Sequence, residues 1–182
     1  MARRATTVSR ARIQDVALTL FAKQGYALTS LHEIATALDV TKAALYFYFP
    51  AKALLLTSLA DPLLDGVQTF LDDYTDGPLT APAQREVVDA LTTLLLAHRP
   101  VVAWLARDLT ALAQPEVGNR ITAHVTHLQR LLAGGDASLD GQVRVAAAVG
   151  ALLGPLVALD TQDLSGLRDT LVAAALAPLS AA

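Results

Sequence analysis

No cysteine occurs among the 182 residues, which excludes disulfides, thiolate metal sites and cysteine nucleophiles. Aromatic side chains are scarce, at 5% with a single tryptophan, so any core must be aliphatic. The 53% apolar content is ample for one and excludes a mainly disordered chain. Long apolar runs are missing as well. The longest uncharged stretch, 145–159, has fifteen residues between Arg144 and Asp160, whereas a membrane-spanning helix needs about 20. Asp15 interrupts the basic N-terminus before any apolar region long enough for an export signal. No membrane partner and a cytoplasmic location are therefore expected.

The charge that is present is unevenly placed. Residues 1–52 carry seven Lys/Arg against three acids, a net of +4, and residues 53–182 carry seven against fourteen, a net of −7. Six of the nine aromatic residues also lie in the first 52. A basic, aromatic-rich head on an acidic, aliphatic body suggests that the head meets a polyanion.

Periodicity is helical nearly throughout, with no strand-like alternation, and the chain is expected to be all-α. In the first helix, 9–24, Ile13, Val16, Ala17, Leu20 and Phe21 form one apolar stripe, and Gly25 ends it. Ser30 and Glu33 have capping-box spacing and open a short helix carrying Leu31, Ile34, Ala35 and Leu38. Asp39 and Val40 turn the chain, Thr41 caps a third helix to about Phe49, and Pro50 ends it. Two short helices joined by so tight a turn form a helix-turn-helix. Leu45 and Phe49 then face Ile34, Leu38 and Phe21, leaving Thr41, Lys42, Ala43, Tyr46, Phe47 and Tyr48 on the opposite side. A helix that reads the major groove needs one buried face and one offered to DNA.

Residues 9–56 resemble the N-terminal domain of the TetR family of bacterial transcriptional regulators. The resemblance rests on Ala17, Phe21, Gly25, Tyr26, Thr29, Ile34, Ala35, Val40 and the run Leu45-Tyr46-x-Tyr48-Phe49-x-x-Lys52, with Leu55. It implies DNA contacts from Thr41, Lys42, Tyr46 and Tyr48, with Ser30 and Ala43 beside them. Lys52 is expected on a phosphate, at a helix N-terminus that also favours an anion. Phe47 occupies the variable position that sets sequence preference. Two positions depart from the family: Asp39 stands where glycine is usual in the turn, and Ala43 where glycine is common near the DNA backbone. Arg3, Arg4 and Arg10 form a basic arm that either reaches the DNA or solubilises the chain.

The body, 51–182, reads as helices over 51–74, 82–99, 101–113, 115–133, 139–159 and 165–177, giving about nine helices in all. Thr75 to Pro78 mark a turn, and Gly134-Gly135 another. His98, Asp108 and His124 each fall within an aliphatic stripe, near Trp104, Ile121 and Leu128. A buried polar group needs a partner. These three either satisfy one another and nearby backbone or line a pocket for a small, mostly apolar effector, as the resemblance implies. His124-x-x-His127 has metal-like spacing but no third ligand. Asp108 with a histidine would make an acid/base pair, yet no nucleophile motif, phosphate loop or carboxylate pair accompanies it, so no enzyme and no cofactor are expected.

The last two helices are apolar on nearly every side, which demands cover all round. Ala147, Gly150, Ala151 and Gly154 permit close helix approach, and with Leu171 and Ala175 they are assigned to a homodimer interface. The expectation is a two-domain dimer, 1–50 reading a palindromic operator on double-stranded DNA (1–8 a flexible basic arm) and 51–182 sensing and dimerising. By resemblance it is a repressor released by its effector. The alternatives are an activator of the same fold, or a metal sensor or helical enzyme using His98, Asp108 and His124.

Overall fold

A computed structural model describes residues 8–74, 79–134, 136, 138–159 and 162–180. Arg3 and Arg4 of the basic arm, the turn at 75–78 and Gly135 lie outside them. Among the described residues there are ten α-helices, one 3₁₀ turn and no strand. The helices are α1 (Arg10–Gln24), α2 (Leu31–Ala37), α3 (Lys42–Tyr48), α4 (Lys52–Asp72), α5 (Ala81–Ala97), α6 (Arg99–Leu105), α7 (Leu109–Leu112), α8 (Pro115–Ala133), α9 (Leu139–Ala158) and α10 (Arg168–Leu179).

The head follows local chemistry closely. Ser9 accepts a hydrogen bond from the Arg12 N–H and caps α1, whose Ile13, Ala17 and Phe21 are buried. Gly25 ends α1 at φ 86°, ψ 155°, a conformation essentially reserved for glycine. Ser30 and Glu33 form the reciprocal capping box on α2. Leu38, Asp39 and Val40 then close α2, with Val40 N–H donating to Ala35 C=O and Asp39 N–H to Thr36 C=O. Asp39 sits at φ 54°, the only non-glycine residue with positive φ among those described.

One helix departs from its predicted form. The stretch expected as a single helix over 101–113 is two, α6 and α7, broken at Asp108. The Asp108 carboxylate accepts from the Ala111 N–H and caps α7. A short acidic side chain that captures a nearby backbone donor favours a helix start over a helix interior. Before it, the chain turns by 88° between α5 and α6, with His98 at the junction and Pro100 in the first turn of α6.

Ion pairs tie the body helices together. Arg120 on α8 reaches Asp61 at 2.9 Å and Asp65 at 2.5 Å on α4, and Arg168 on α10 pairs with Asp89 on α5. One hydrophobic core runs without a break from Ile13 in α1 to Ala175 in α10.

The length argument for α9 needs correction. At 20 residues it is long and apolar enough to cross a membrane by length and composition. It includes charged Arg144, whose guanidinium is held by Asp136 at 2.7 Å. Counting only the uncharged stretch understated the helix. In the fold α9 packs along α10, α8 and α6.

Candidate functional site

Helix α3 stands on a buried base. Leu45 and Phe49 are 0% and 1% exposed and join the core formed by Phe21 and Ile34. On the other side Thr41, Lys42, Ala43, Tyr46 and Phe47 are exposed, Phe47 at 83%. Its ring meets only the edge of the Tyr48 ring, with centroids 5.3 Å apart, and otherwise faces solvent. Lys42 Nζ lies 5.3 Å from the Tyr46 ring centroid, and Thr41 accepts the Ala44 N–H as the α3 cap. Ser30 is exposed, but its hydroxyl is engaged by the Glu33 N–H.

Three predicted contact groups are already occupied within the head. The Tyr48 hydroxyl donates to Val8 C=O at 2.9 Å. Arg10, assigned to the arm, lies in α1, where it donates to Tyr48 C=O and sits 4.7 Å from the Phe49 ring centroid. Lys52 shows the largest change of role. Its ammonium donates to the carbonyls of Tyr26 (2.8 Å), Ala27 (3.3 Å) and Thr29 (2.9 Å) and lies 4.3 Å from the Tyr26 ring centroid. Three donors on three carbonyls leave it none for a phosphate. Burial lowers its pKa, an effect opposed by the charges of Asp108 and Glu33.

The six residues proposed for one pocket divide between two. Ile121, His124 and Leu128 line a cavity of about 270 Å³ among α4 to α9, with Leu63, Leu95 and Leu152 among its walls. His124 is the one polar residue in that lining, and it is 7% exposed. Trp104 and Asp108 belong instead to a groove of about 750 Å³ between the head and α6–α7, which also takes in Phe21, Gly25, Arg99 and Arg107. His98 lines neither. It lies at the α5–α6 junction, where its carbonyl accepts from Val101 and Val102. The three polar residues therefore do not satisfy one another. The reason is the break at Asp108, which turns that carboxylate toward the head. Among the described residues no three His, Asp or Glu side chains gather as metal ligands.

Asp108 joins the body to the head. Its carboxylate accepts from the Tyr26 N–H (2.5 Å), Trp104 Nε1 (3.1 Å), the Thr110 hydroxyl (2.9 Å) and the Ala111 N–H (3.0 Å). Burial raises its pKa, but these four hydrogen bonds outweigh that and hold it below the usual value. Trp104 stacks on Phe21 with ring centroids 5.2 Å apart, and Phe21 meets Tyr26 edge-on. Nothing in the local sequence signals this contact, since Tyr26 and Asp108 are 82 positions apart.

The interface residues also divide. Ala147, Gly150 and Gly154 are exposed and Ala151 is half-buried. Leu171 and Ala175, 6% and 0% exposed, pack inside the subunit. The outward face of α10 is Thr170, Ala173, Ala174 and Ala177. Because α10 is apolar on every side from Leu171 onward, its sequence pattern there does not say which face turns in.

A helix-turn-helix whose second helix offers a polar-aromatic face, carried on a helical body with an apolar cavity, has the architecture of a DNA-binding regulator. The sequence comparisons agree with that class. Residues 13–59 match the profile of bacterial regulatory proteins of the tetR family. The chain is 36% identical over 97 residues to the uncharacterized HTH-type transcriptional regulator YuxN of Bacillus subtilis, covering 53% of this chain and 33% of that protein. The chain thus spans only a third of the length of this curated relative. Among solved structures it resembles AmtR of Mycobacterium smegmatis (TM-score 0.75, 21% identity, 98% of this chain and 89% of that one). It also resembles the regulator FadR of Bacillus subtilis, solved with stearoyl-CoA (TM-score 0.62, 16% identity, 93% and 99%). At these identities the two structures speak for the fold.

Proposed function

We propose that this protein is a ligand-responsive repressor that binds a roughly palindromic operator as a homodimer in the cytoplasm. Residues 1–50 serve as the reading head and 51–182 as the sensing and dimerising body. The observation that carries this is α3, buried through Leu45 and Phe49 and exposed through Thr41, Lys42, Ala43, Tyr46 and Phe47. That division of faces is what insertion into a major groove requires.

The dimer reading is supported by α9, whose most apolar 18-residue stretch is only 28% buried within the subunit. Ala147, Gly150 and Gly154 on α9 and Ala173, Ala174 and Ala177 on α10 are small and exposed, which suits close approach of a second copy. A two-fold axis there sets two heads side by side, with half-sites one helical turn or a multiple apart. The effector sits in the α4–α9 cavity. An apolar ligand suits its lining, and FadR, of similar fold, is known with an acyl ligand. Helix α6 gives that ligand a route to the DNA, because Val102 and Leu105 wall the cavity while Trp104 touches Phe21 of the head. The ligand acts by binding one arrangement of the heads better than the other.

The test is selection of bound fragments from genomic DNA by the full chain, followed by affinity measurements across salt concentrations. A recurrent inverted repeat whose binding weakens steeply with salt is the expected result. Failure to enrich any sequence, or binding indifferent to salt, would overturn the proposal.

A further inference from the structure

Six helices contribute to the wall of the cavity of about 270 Å³, through Val67 of α4, Leu95 of α5, Val102 of α6, Leu112 of α7, Leu128 of α8 and Leu152 of α9. Apart from His124, every lining side chain is leucine, valine, isoleucine or alanine, and the accessible wall is apolar. His124 does not break that character. Its Nε2 lies 3.0 Å from Gln68 Oε1, and the same amide is anchored by its Nε2 donating to Asp72 Oδ1 at 2.6 Å. Its Nδ1 is buried, so the ring gives the cavity carbon alone. Burial, followed by the charges of Arg120 and His127, lowers the pKa of the ring and favours its uncharged form.

Water has no place in such a space. A buried water needs about two to four polar partners and finds none on this wall, while a void left unfilled forfeits dispersion contacts for its lining. An apolar molecule of matching size restores those contacts and leaves no group unpaired. We propose that the α4–α9 cavity takes a hydrocarbon, a ligand with no hydrogen-bonding group at all. An apolar cavity of about 150 Å³ holds benzene, so the larger volume here suits a substituted benzene or two fused rings. Alcohols, phenols and amides bring donors or acceptors that the wall cannot meet. A carboxylate adds the cost of a buried charge.

This rests on the effector reading above, and the experiment separates the two. Calorimetric titration of the full chain would use two pairs, toluene with phenol and ethylbenzene with benzyl alcohol, in which a methyl group replaces a hydroxyl. The hydrocarbon of each pair should bind on the order of thirtyfold tighter or more, the cost of stripping a hydroxyl of water without a new partner. Val149 is a half-buried lining residue of α9. Val149→Phe adds a ring to the wall and should abolish toluene binding with helicity unchanged. Toluene binding undiminished in that variant would move the site elsewhere and overturn the inference. Phenol binding as tightly as toluene to the unaltered protein would overturn it too, and would leave the cavity as an effector site. Binding of neither pair would overturn the effector reading and the inference with it.

Discussion

Asp108 Oδ2 accepts the Tyr26 backbone N–H at 2.5 Å, and this bond crosses from the body to the head. It falls one residue after Gly25, where a β-carbon would stand 3.7 Å from the same carboxylate oxygen in a conformation that side chains rarely adopt. Asp108→Asn keeps the size but sets an amide donor against N–H and O–H donors already in place. It should destabilise the fold by about 2–4 kcal/mol, since at least one buried group loses its acceptor. The pH sign follows from the lowered pKa. The contribution is complete above the ordinary carboxylate pKa and is lost as pH falls through the lower folded value. Thermal unfolding of both proteins at descending pH should therefore show their Tm values converging in acid. A constant difference would remove Asp108 ionisation from the account.

Lys52 separates a structural from a DNA-binding role. Its ammonium closes the turn at Tyr26, Ala27 and Thr29 from the first turn of α4. Lys52→Met retains the stem and removes the donors, so the head should lose about 1–3 kcal/mol of stability. Unchanged Tm with uniformly weaker DNA binding would return the residue to phosphate contact.

Phe47 and Leu45 are two positions apart on α3 and should behave oppositely. Phe47 is 83% exposed, so Phe47→Ala should leave Tm unchanged within about 0.5 kcal/mol. Its effect should be on the ranking of operator sequences in a competition assay. Leu45→Ala empties a fully buried position and should cost about 2–5 kcal/mol. A Phe47→Ala protein with the original sequence ranking would take that residue out of base readout.

What the sequence revealed, and what it hid, divides along the range of the interactions. The Ser30–Glu33 box, the Thr41 cap, the Gly25 stop and the buried faces of α1 to α3 depend on neighbours within a turn or two, and periodicity and cap chemistry read them correctly. Asp108 also carries a local signal, as an N-cap three residues before Ala111, yet its position within an apolar stripe concealed it. Its partner Tyr26 and the carbonyls around Lys52 are distant in sequence, beyond the reach of any pattern. Gly118 makes the same point in α8, where a β-carbon would meet the Leu112 carbonyl oxygen at 2.1 Å. A close approach of two backbones leaves only a glycine behind, and a helix interior gives that glycine no evident reason.

Asp39 holds φ 54° between α2 and α3, where glycine is free of side-chain strain. Asp39→Gly should match or slightly exceed the natural stability, the relief of strain offsetting the added freedom of the unfolded chain. Asp39→Val adds a branched β-carbon at positive φ and should cost about 1–2 kcal/mol. Chemical denaturation of the three proteins checks the order, and a Val protein as stable as the Gly protein would mean the turn had rearranged.

Gly150 and Ala174 offer the sharpest test of the dimer face, because substitution there costs the subunit nothing. Both are exposed, and a β-carbon at Gly150 meets no atom within 4 Å. Within one subunit Gly150→Glu should even gain helix propensity, about 1 kcal/mol relative to glycine. Across a two-fold axis, however, the substitution places two carboxylates in a close, apolar helix contact, where burying an unpaired charge is prohibitive. Sedimentation at micromolar concentration should give twice the chain mass for the natural protein and the single-chain mass for Gly150→Glu or Ala174→Glu, with helicity unchanged. Operator affinity should fall with it, since one head alone holds half a site. Leu171→Glu should unfold the subunit instead, as Leu171 faces its interior. A Gly150→Glu protein that still sediments as a dimer would move the interface off α9 and α10.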